Sequence, residues 1–257
     1  MRSYYKSLYD IANEMSILGS EIYDNLKGDM RDDLQYMCMS FAKRQLSQLR
    51  SLIRLEDSDD IILIARSMFE GGVYLSYSFK NKEMCRRWRL YCCVVDIQRM
   101  ENDETSVDSM PEEVRSLLES LRPEVDSFFK KPNGAYDKYW YGNTSIKNIA
   151  QSVDNNLLYF YNKYYSPMSE YHHWATAAFG KRYKIDGNEI TETNSEEVEF
   201  ERSGAMCMAL SSVLSTMKFA ATILGNNQSS LEKITHLSDK LKNIDGTFTR
   251  EIKITRK

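Results

Sequence analysis

Two of the chain's three histidines, His172 and His173, are adjacent in the stretch SPMSEYHHWATAAFG, residues 166–180. Neighbouring residues of a helix project about 100° apart, so these two imidazoles cannot chelate one metal ion from a single helix. Ser169 lies four residues before His173, and Tyr165 four before Ser169, which predicts one stripe along a helix. Because imidazole titrates near neutral pH, His173 is a candidate for proton transfer, with Ser169 fixing its tautomer. A histidine satisfied within a helical core is the alternative.

Arg66 and Glu70 are four residues apart in the most apolar predicted helix, IILIARSMFEGGVYLSYSF. That spacing places both side chains on one face, within reach of each other. Burying either charge without a partner is unfavourable, so they are expected to pair or to meet other polar groups. Two interpretations are open: a salt bridge that fixes helix packing, or an anion-binding Arg66 that Glu70 orients.

A third feature is a concentration of aromatic residues between positions 136 and 174. They are Tyr136, Tyr139, Trp140, Tyr141, Tyr159, Phe160, Tyr161, Tyr164, Tyr165, Tyr171 and Trp174. Aromatic side chains stack on nucleic-acid bases, but packing between helices explains most of them equally well. A smaller basic patch at the C-terminus, Arg250, Lys253, Arg256 and Lys257, is typical of a solvated tail.

The composition indicates a globular helical protein. The chain has 257 residues, of which 42% are hydrophobic, and contains only four prolines and eleven glycines, which favours long helices. Its formal net charge of -3 gives no overall basic field, so contact with nucleic acid would need a local patch.

Five cysteines, an odd number without a CxxC pair, predict free and mostly buried thiols in a reducing compartment. Cys92 and Cys93 are expected to point in different directions on a helix, and no zinc site is predicted. Walker, Rossmann and HExxH patterns are absent, so no cofactor is predicted. The N-terminus lacks a signal-peptide core, and the longest apolar run, Leu90 to Val95, is too short to span a bilayer. We therefore expect a cytoplasmic protein with no membrane contact.

Apolar residues at three- and four-residue steps predict a series of amphipathic helices. Their ranges are about 4–26, 30–55, 61–80, 83–100, 110–130, 145–153, 155–165, 166–179, 199–224 and 230–244. Pro123 is expected to kink or split the fifth helix, and Thr144 and Asp154 to cap the two short ones. Asp186-Gly187 is the predicted tight turn of the one hairpin. For the tail FTREIKITRK three structures are possible: a strand, a sheet edge or a disordered segment.

These elements predict a mostly-α fold: a single-domain bundle of long helices over residues 1–257, with a small β-hairpin insertion. The motif-bearing core covers about 55–180, and the hairpin insertion covers about 181–194. The C-terminal helices and the basic tail cover 199–257.

Three motifs, taken in order, resemble the bacterial domain-of-unknown-function family 5677. Arg66-x3-Glu70 is followed by Trp140-Tyr141-Gly142 before SIKNIAQSV, and then by a Y-x3-S-x3-H segment, Tyr165, Ser169 and His173. The resemblance covers roughly residues 55–179. It implies a helical protein in which Arg66, Glu70, Ser169 and His173 form one catalytic site, with Tyr165 and Trp140 as binding residues. Members look like cargo of bacterial defence and mobile-element loci.

The chain is also more loosely similar to HEPN ribonucleases, helical bundles in which a nearby arginine and histidine cut RNA without metal, often across a dimer. Here the matching positions before His173 are Ser166, Pro167 and Met168, so the arginine would have to be Arg66 from another helix. The expectation is a defence or toxin-like effector that cleaves RNA without metal, using His173 and Arg66.

The alternative is a non-enzymatic sensor or interaction module, in which the same residues form a structural polar network or a nucleotide-binding pocket. The expected partners are RNA or a nucleotide, a second copy of the chain, or a partner protein from the same defence locus.

Overall fold

Helices account for most of the chain in the computed structural model. It describes residues 2–55, 58–102, 110–169, 182–192, 196–225 and 228–255. The α-helices are α1 (Arg2–Asp24), α2 (Asp33–Arg54), α3 (Asp60–Lys80), α4 (Glu83–Asn102), α5 (Glu112–Phe129), α6 (Ile146–Val153), α7 (Asn155–Phe160), α8 (Glu196–Ile223) and α9 (Gln228–Thr255). A π-helical turn, Tyr161–Tyr165, follows α7, and two antiparallel strands, β1 (Tyr183–Asp186) and β2 (Glu189–Glu192), form a hairpin. The predicted mostly-α bundle with a small β-hairpin is confirmed.

Helices α3 and α8 form the centre of the larger hydrophobic core, and α2, α6 and α9 pack around them. The sequence of α3 is apolar nearly all round because it is covered on several sides. Gly72 permits close approach of the two central helices, since a Cβ there would lie 3.2 Å from the Cβ of Ser212. This packing fixes the face of α3 that carries Arg66 and Glu70.

A second, smaller cluster of buried side chains lies between α4 and α5. Trp140 packs against both clusters and so connects them. Pro123 lies inside α5, which is continuous, so the predicted split is wrong. Leu118 and Val125, on either side of the proline, are both buried in this cluster, and their packing holds the helix together despite the missing amide donor.

Side-chain oxygens cap the helix starts as the capping chemistry predicts, but one cap lies one residue later than predicted. The side chains of Asp32 and Asp154 accept from backbone amides at 2.8 Å. Ser145, instead of the predicted Thr144, caps α6 through the amide of Asn148 at 3.2 Å. Such side-chain oxygens satisfy amides that have no partner within the helix.

The hairpin and the C-terminal tail each differ from the prediction. Asp186 pairs with Glu189, which leaves Gly187-Asn188 as the two-residue turn, one position later than predicted. Gly187 adopts φ 59°, a left-handed conformation that glycine tolerates without strain. The tail is helical instead of a strand up to Thr255, because α9 continues to that residue. No proline interrupts it, and adding residues to an existing helix is favourable.

One helix segment, Val198–Ile223, is long and apolar enough by composition to cross a membrane. In its most apolar window 67% of the residues are buried inside the fold, as is typical of the core helix of a soluble protein.

All five cysteines are free, and only Cys92 among them is exposed, which confirms the predicted mostly buried thiols. Cys92 is exposed and Cys93 is buried, as expected for neighbours that point in different directions on a helix. Their Sγ atoms nevertheless lie 4.0 Å apart.

Candidate functional site

Tyr165 connects Arg66 and Glu70 through its hydroxyl. Arg66 Nη2 donates to Tyr165 Oη at 3.1 Å, and Tyr165 Oη donates to Glu70 Oε1 at 2.5 Å. The guanidinium also lies over the tyrosine ring, 4.5 Å from its centroid. Within the described part of the chain, Arg66 and Glu70 form no direct ion pair. The two charges are therefore bridged by a neutral phenol, an arrangement that we call the Arg66–Tyr165–Glu70 network.

The phenol at the centre of this network is held in its protonated form. Tyr165 is only 6% exposed, and its burial raises the pKa of the hydroxyl well above the ordinary value. The carboxylate of Glu70 raises this pKa further, while Arg66 opposes it. Tyr165 therefore keeps its proton at neutral pH and uses it to hold Glu70.

The π-helical turn explains how Tyr165 reaches α3. In this turn Ser166 N donates to Tyr161 O at 2.9 Å, five residues earlier. Tyr164, the residue before Tyr165, is 2% exposed and donates to Asp245 Oδ1 of α9 at 2.6 Å. Tyr164 thus anchors the turn to α9, and Tyr165 anchors it to α3. Single π-helical turns are frequent at functional sites.

Arg66 also contacts the beginning of the segment that contains the two histidines. Its Nη1 donates to Met168 O at 3.5 Å, and Ser169, the next residue, is half-buried. His172 and His173 lie outside the residues that the structure describes, so their predicted roles remain predictions. The structure brings Arg66, Glu70 and Tyr165 together, and it places Ser169 next to a residue that Arg66 contacts.

Trp140 does not join the network, and it lies in the wall between the two core clusters. Its ring packs edge-on against Tyr74 at 5.3 Å between centroids. Its carbonyl oxygen accepts from Arg87 Nε at 2.9 Å. These contacts support its neighbours, and the predicted binding role of Trp140 stays a prediction.

The sequence did not reveal a ladder of three tyrosine rings next to the network. Tyr74, one helical turn after Glu70, stacks on Tyr141 at 4.8 Å, and Tyr141 stacks on Tyr139 at 5.2 Å with the rings 2° from parallel. Burial raises the pKa values of Tyr74 and Tyr141, and the negative charge of Glu70 raises both further. The aromatic density was visible in the sequence, but which rings would face each other depends on the fold.

The charged groups near the hairpin belong to a separate structural cluster. Arg202 Nε donates to Asp59 Oδ1 at 2.9 Å, and Arg182 also pairs with Asp59. These contacts tie the hairpin and α8 to the start of α3. Among the described residues, no three histidine, cysteine or acidic side chains are grouped as metal ligands would be.

Comparisons with known proteins place the chain in a family. No curated protein and no solved structure matches it significantly. The model of a family of unknown function, DUF5677, matches residues 35–190, which is more than half of the chain. The matched span includes all three members of the Arg66–Tyr165–Glu70 network and the predicted His173. The resemblance predicted from the motifs is thereby confirmed, and the chain belongs to the DUF5677 family.

Proposed function

We propose that this protein is a bacterial defence or toxin-like effector that cleaves RNA without a metal ion. In this proposal Arg66 binds the scissile phosphate and His173 transfers a proton. The observation that carries it is the pair of contacts from Arg66 to Tyr165 and Met168, which are 99 and 102 residues away in sequence. They fix a cation beside the segment that contains His173.

Arg66 has hydrogen-bonding capacity left for a phosphate. A guanidinium carries five N–H donors in a planar fork. In the described part of the structure Arg66 makes two hydrogen bonds, and it is half-buried. A partly desolvated arginine with free donors suits a phosphate oxygen well, because charge-assisted bonds strengthen away from bulk water.

His173 is close enough in sequence to share the site. It follows Met168 by five residues. Five fully extended residues span at most about 18 Å, so this short spacing from Met168 is compatible with a site shared with Arg66.

The proposed reaction uses the ribose itself as the nucleophile. The 2′-hydroxyl attacks the adjacent phosphorus, the P–O5′ bond breaks, and a 2′,3′-cyclic phosphate remains. His173 accepts the 2′-hydroxyl proton or donates a proton to the leaving 5′-oxygen, and water makes the other transfer. Arg66 stabilises the charge that develops on the phosphate oxygens. Glu70 orients Arg66 through the Tyr165 hydroxyl, and Ser169 orients His173.

The test is cleavage of total RNA by purified protein in excess EDTA. We expect products with 2′,3′-cyclic phosphate ends, and no cleavage of an all-DNA strand, which lacks the nucleophile. His173→Ala and Arg66→Ala should each lower the rate by about 100-fold or more. His172→Ala is the matched control and should retain the activity. Absence of cleavage by the wild type, or equal cleavage by wild type and His173→Ala, would refute the proposal.

A second candidate function is a non-enzymatic sensor or interaction module. The deep burial of Tyr165 favours it, because a satisfied internal polar network stabilises one arrangement of helices. In that case Arg66→Ala and His173→Ala should both lower the melting temperature by several degrees. The enzymatic proposal predicts near-native melting for His173→Ala together with loss of cleavage.

A further inference from the structure

The connection from α5 to α6 is a basic segment of an acidic protein. Residues 130–145 contain three lysines and one aspartate, whereas the whole chain has a net charge of -3. Lys130 pairs with Asp126 at 3.0 Å, and Lys131 with Asp137 at 3.5 Å. Lys138 forms no ion pair within the described residues. Because the chain as a whole is not basic, an anionic polymer would need a local positive patch such as this segment in order to bind.

The tyrosine ladder emerges at the surface in this same segment. It starts at the half-buried Tyr74 on α3 and ends at Tyr139, which is 41% exposed. Lys138 Nζ lies 5.3 Å from the centroid of the Tyr139 ring. The outermost ring therefore has the flexible Lys138 ammonium over one face, which an incoming base would displace, and it partly faces solvent.

The segment is rigidly supported from beneath. Arg87 donates to the carbonyl of Trp140 at 2.9 Å and pairs with Asp137 at 3.1 Å. Tyr91 donates to the carbonyls of Asp137 and Lys138. Because this loop is already ordered, a ligand stacking on Tyr139 would lose little free energy to ordering it.

We propose that Tyr139 and Lys138 bind an unpaired base and its phosphate, so that the substrate of the Arg66 site is single-stranded RNA. This inference rests on the proposed function and specifies its substrate. A base is a flat aromatic ring that extends the parallel stack of Tyr74, Tyr141 and Tyr139, and such stacking tolerates any base. Bases within a duplex already stack on each other, so they cannot use the platform.

The ladder also connects the platform to the reactive site. Tyr74 lies one turn after Glu70 on α3, and Arg66 lies one turn before Glu70. In this proposal a strand stacked on Tyr139 extends from there towards the Arg66–Tyr165–Glu70 network. Lys138, the residue before Tyr139, pairs with a phosphate of that strand.

The experiment uses a 2′-O-methyl RNA strand, which cannot be cleaved by its own 2′-oxygen, labelled with 2-aminopurine. Fluorescence anisotropy gives the Kd, and quenching of 2-aminopurine reports stacking. Tyr139→Ala should weaken binding about tenfold and abolish the quenching. Tyr139→Trp should preserve both, and a duplex of the same sequence should bind much more weakly.

Tyr159→Ala is the matched control. Tyr159 is 46% exposed and has Lys163 Nζ 5.1 Å from its ring centroid, but it meets Phe160 edge-on instead of extending a parallel stack. The Kd of this variant should be unchanged. Equal losses in the two alanine variants, no effect of Tyr139→Ala, or no binding by the wild type would overturn the inference. Tyr139-dependent binding without cleavage of unmodified RNA would refute only the proposed ribonuclease activity.

Discussion

At the scale of single residues, the central feature is the hydroxyl of Tyr165. The four-residue spacing of Arg66 and Glu70 predicts a shared face but not the group between them. The spacing predicts Tyr165 as a binding residue on the His173 stripe, and in the structure its hydroxyl contacts both charges, which are 99 and 95 residues away in sequence. Spacing rules apply within one element, so a partner that arrives from another element cannot be read from them.

Tyr165→Phe removes only this hydroxyl and keeps the ring. Arg66 then loses a hydrogen-bond acceptor, and Glu70 loses a donor, in a half-buried site. We expect the free energy of unfolding to fall by about 1.5–3 kcal/mol, as for hydrogen bonds to charged groups. Urea denaturation measures this change in the free energy of unfolding. Tyr139→Phe, at an exposed ring, is the control and should change stability by less than about 0.5 kcal/mol. A similarly small change for Tyr165→Phe would show that the network is not stabilising.

Cys92 is expected to be the reactive thiol of the chain. A hydrogen bond from Cys93 lowers the pKa of Cys92 to about 6, and Cys92 is the exposed member of the pair. Since the thiolate is the nucleophile, alkylation by iodoacetamide should rise with pH through a midpoint near 6 and level off above it. Mass spectrometry of the digested protein locates the label.

Two variants check this assignment. Cys92→Ser should remove the fast alkylation. Cys93→Ser should move the midpoint up towards that of an ordinary thiol, because the hydrogen bond is lost. A midpoint near that of an ordinary thiol in the wild type would contradict the structure around this pair.

At the scale of elements, the helices were largely predictable and their details were not. Apolar periodicity and capping residues gave the helix ranges, since both are local properties. The continuity of α5 through Pro123, and of α9 to Thr255, depended on packing and on propagation of an existing helix. The π-helical turn had no local signature, although its three tyrosines were evident as part of an aromatic cluster.

Gly204 of α8 is required by the π-helical turn. A Cβ at this position would lie 2.7 Å from Cδ1 of the buried Tyr164 ring. Although alanine normally favours a helix over glycine, we expect Gly204→Ala to destabilise the protein by about 1–3 kcal/mol through overpacking. Gly246→Ala in α9 is the control: nothing lies within 4 Å of its Cβ, so it should stabilise by about 0.5–1 kcal/mol. Thermal melting of both variants measures the difference, and stabilisation by Gly204→Ala would contradict the packing.

At the scale of the whole molecule, the one described helix segment that could span a membrane by length and composition is covered by its neighbours. Val198–Ile223 meets the length and composition of a membrane span but is mostly buried inside the fold. We therefore expect the expressed protein in the supernatant after ultracentrifugation of a detergent-free lysate. Recovery only in a membrane pellet that requires detergent would show that this helix is exposed to lipid.

The fold as a whole brings together motifs that are about a hundred residues apart. Packing of α3 on α8 and anchoring of the π-helical turn place Arg66, Glu70 and Tyr165 in one site. The sequence motifs predicted that Arg66 and Glu70 share a site with the Tyr165–Ser169–His173 segment. The contacts to Tyr165 are present, and the part that concerns Ser169 and His173 stays a prediction. The aromatic ladder could not be anticipated, because it combines α3 with a loop from the other core cluster.

The central claim is that Arg66 and His173 act on one phosphate. The most direct measurement is the separation of the Arg66 guanidinium and the His173 imidazole in a crystal structure with an uncleavable RNA strand bound. We predict a separation of roughly 5–8 Å, with one phosphate hydrogen-bonded to both groups, since each bond spans about 3 Å. A separation beyond about 12 Å, both within the chain and across neighbouring copies, would contradict the shared site.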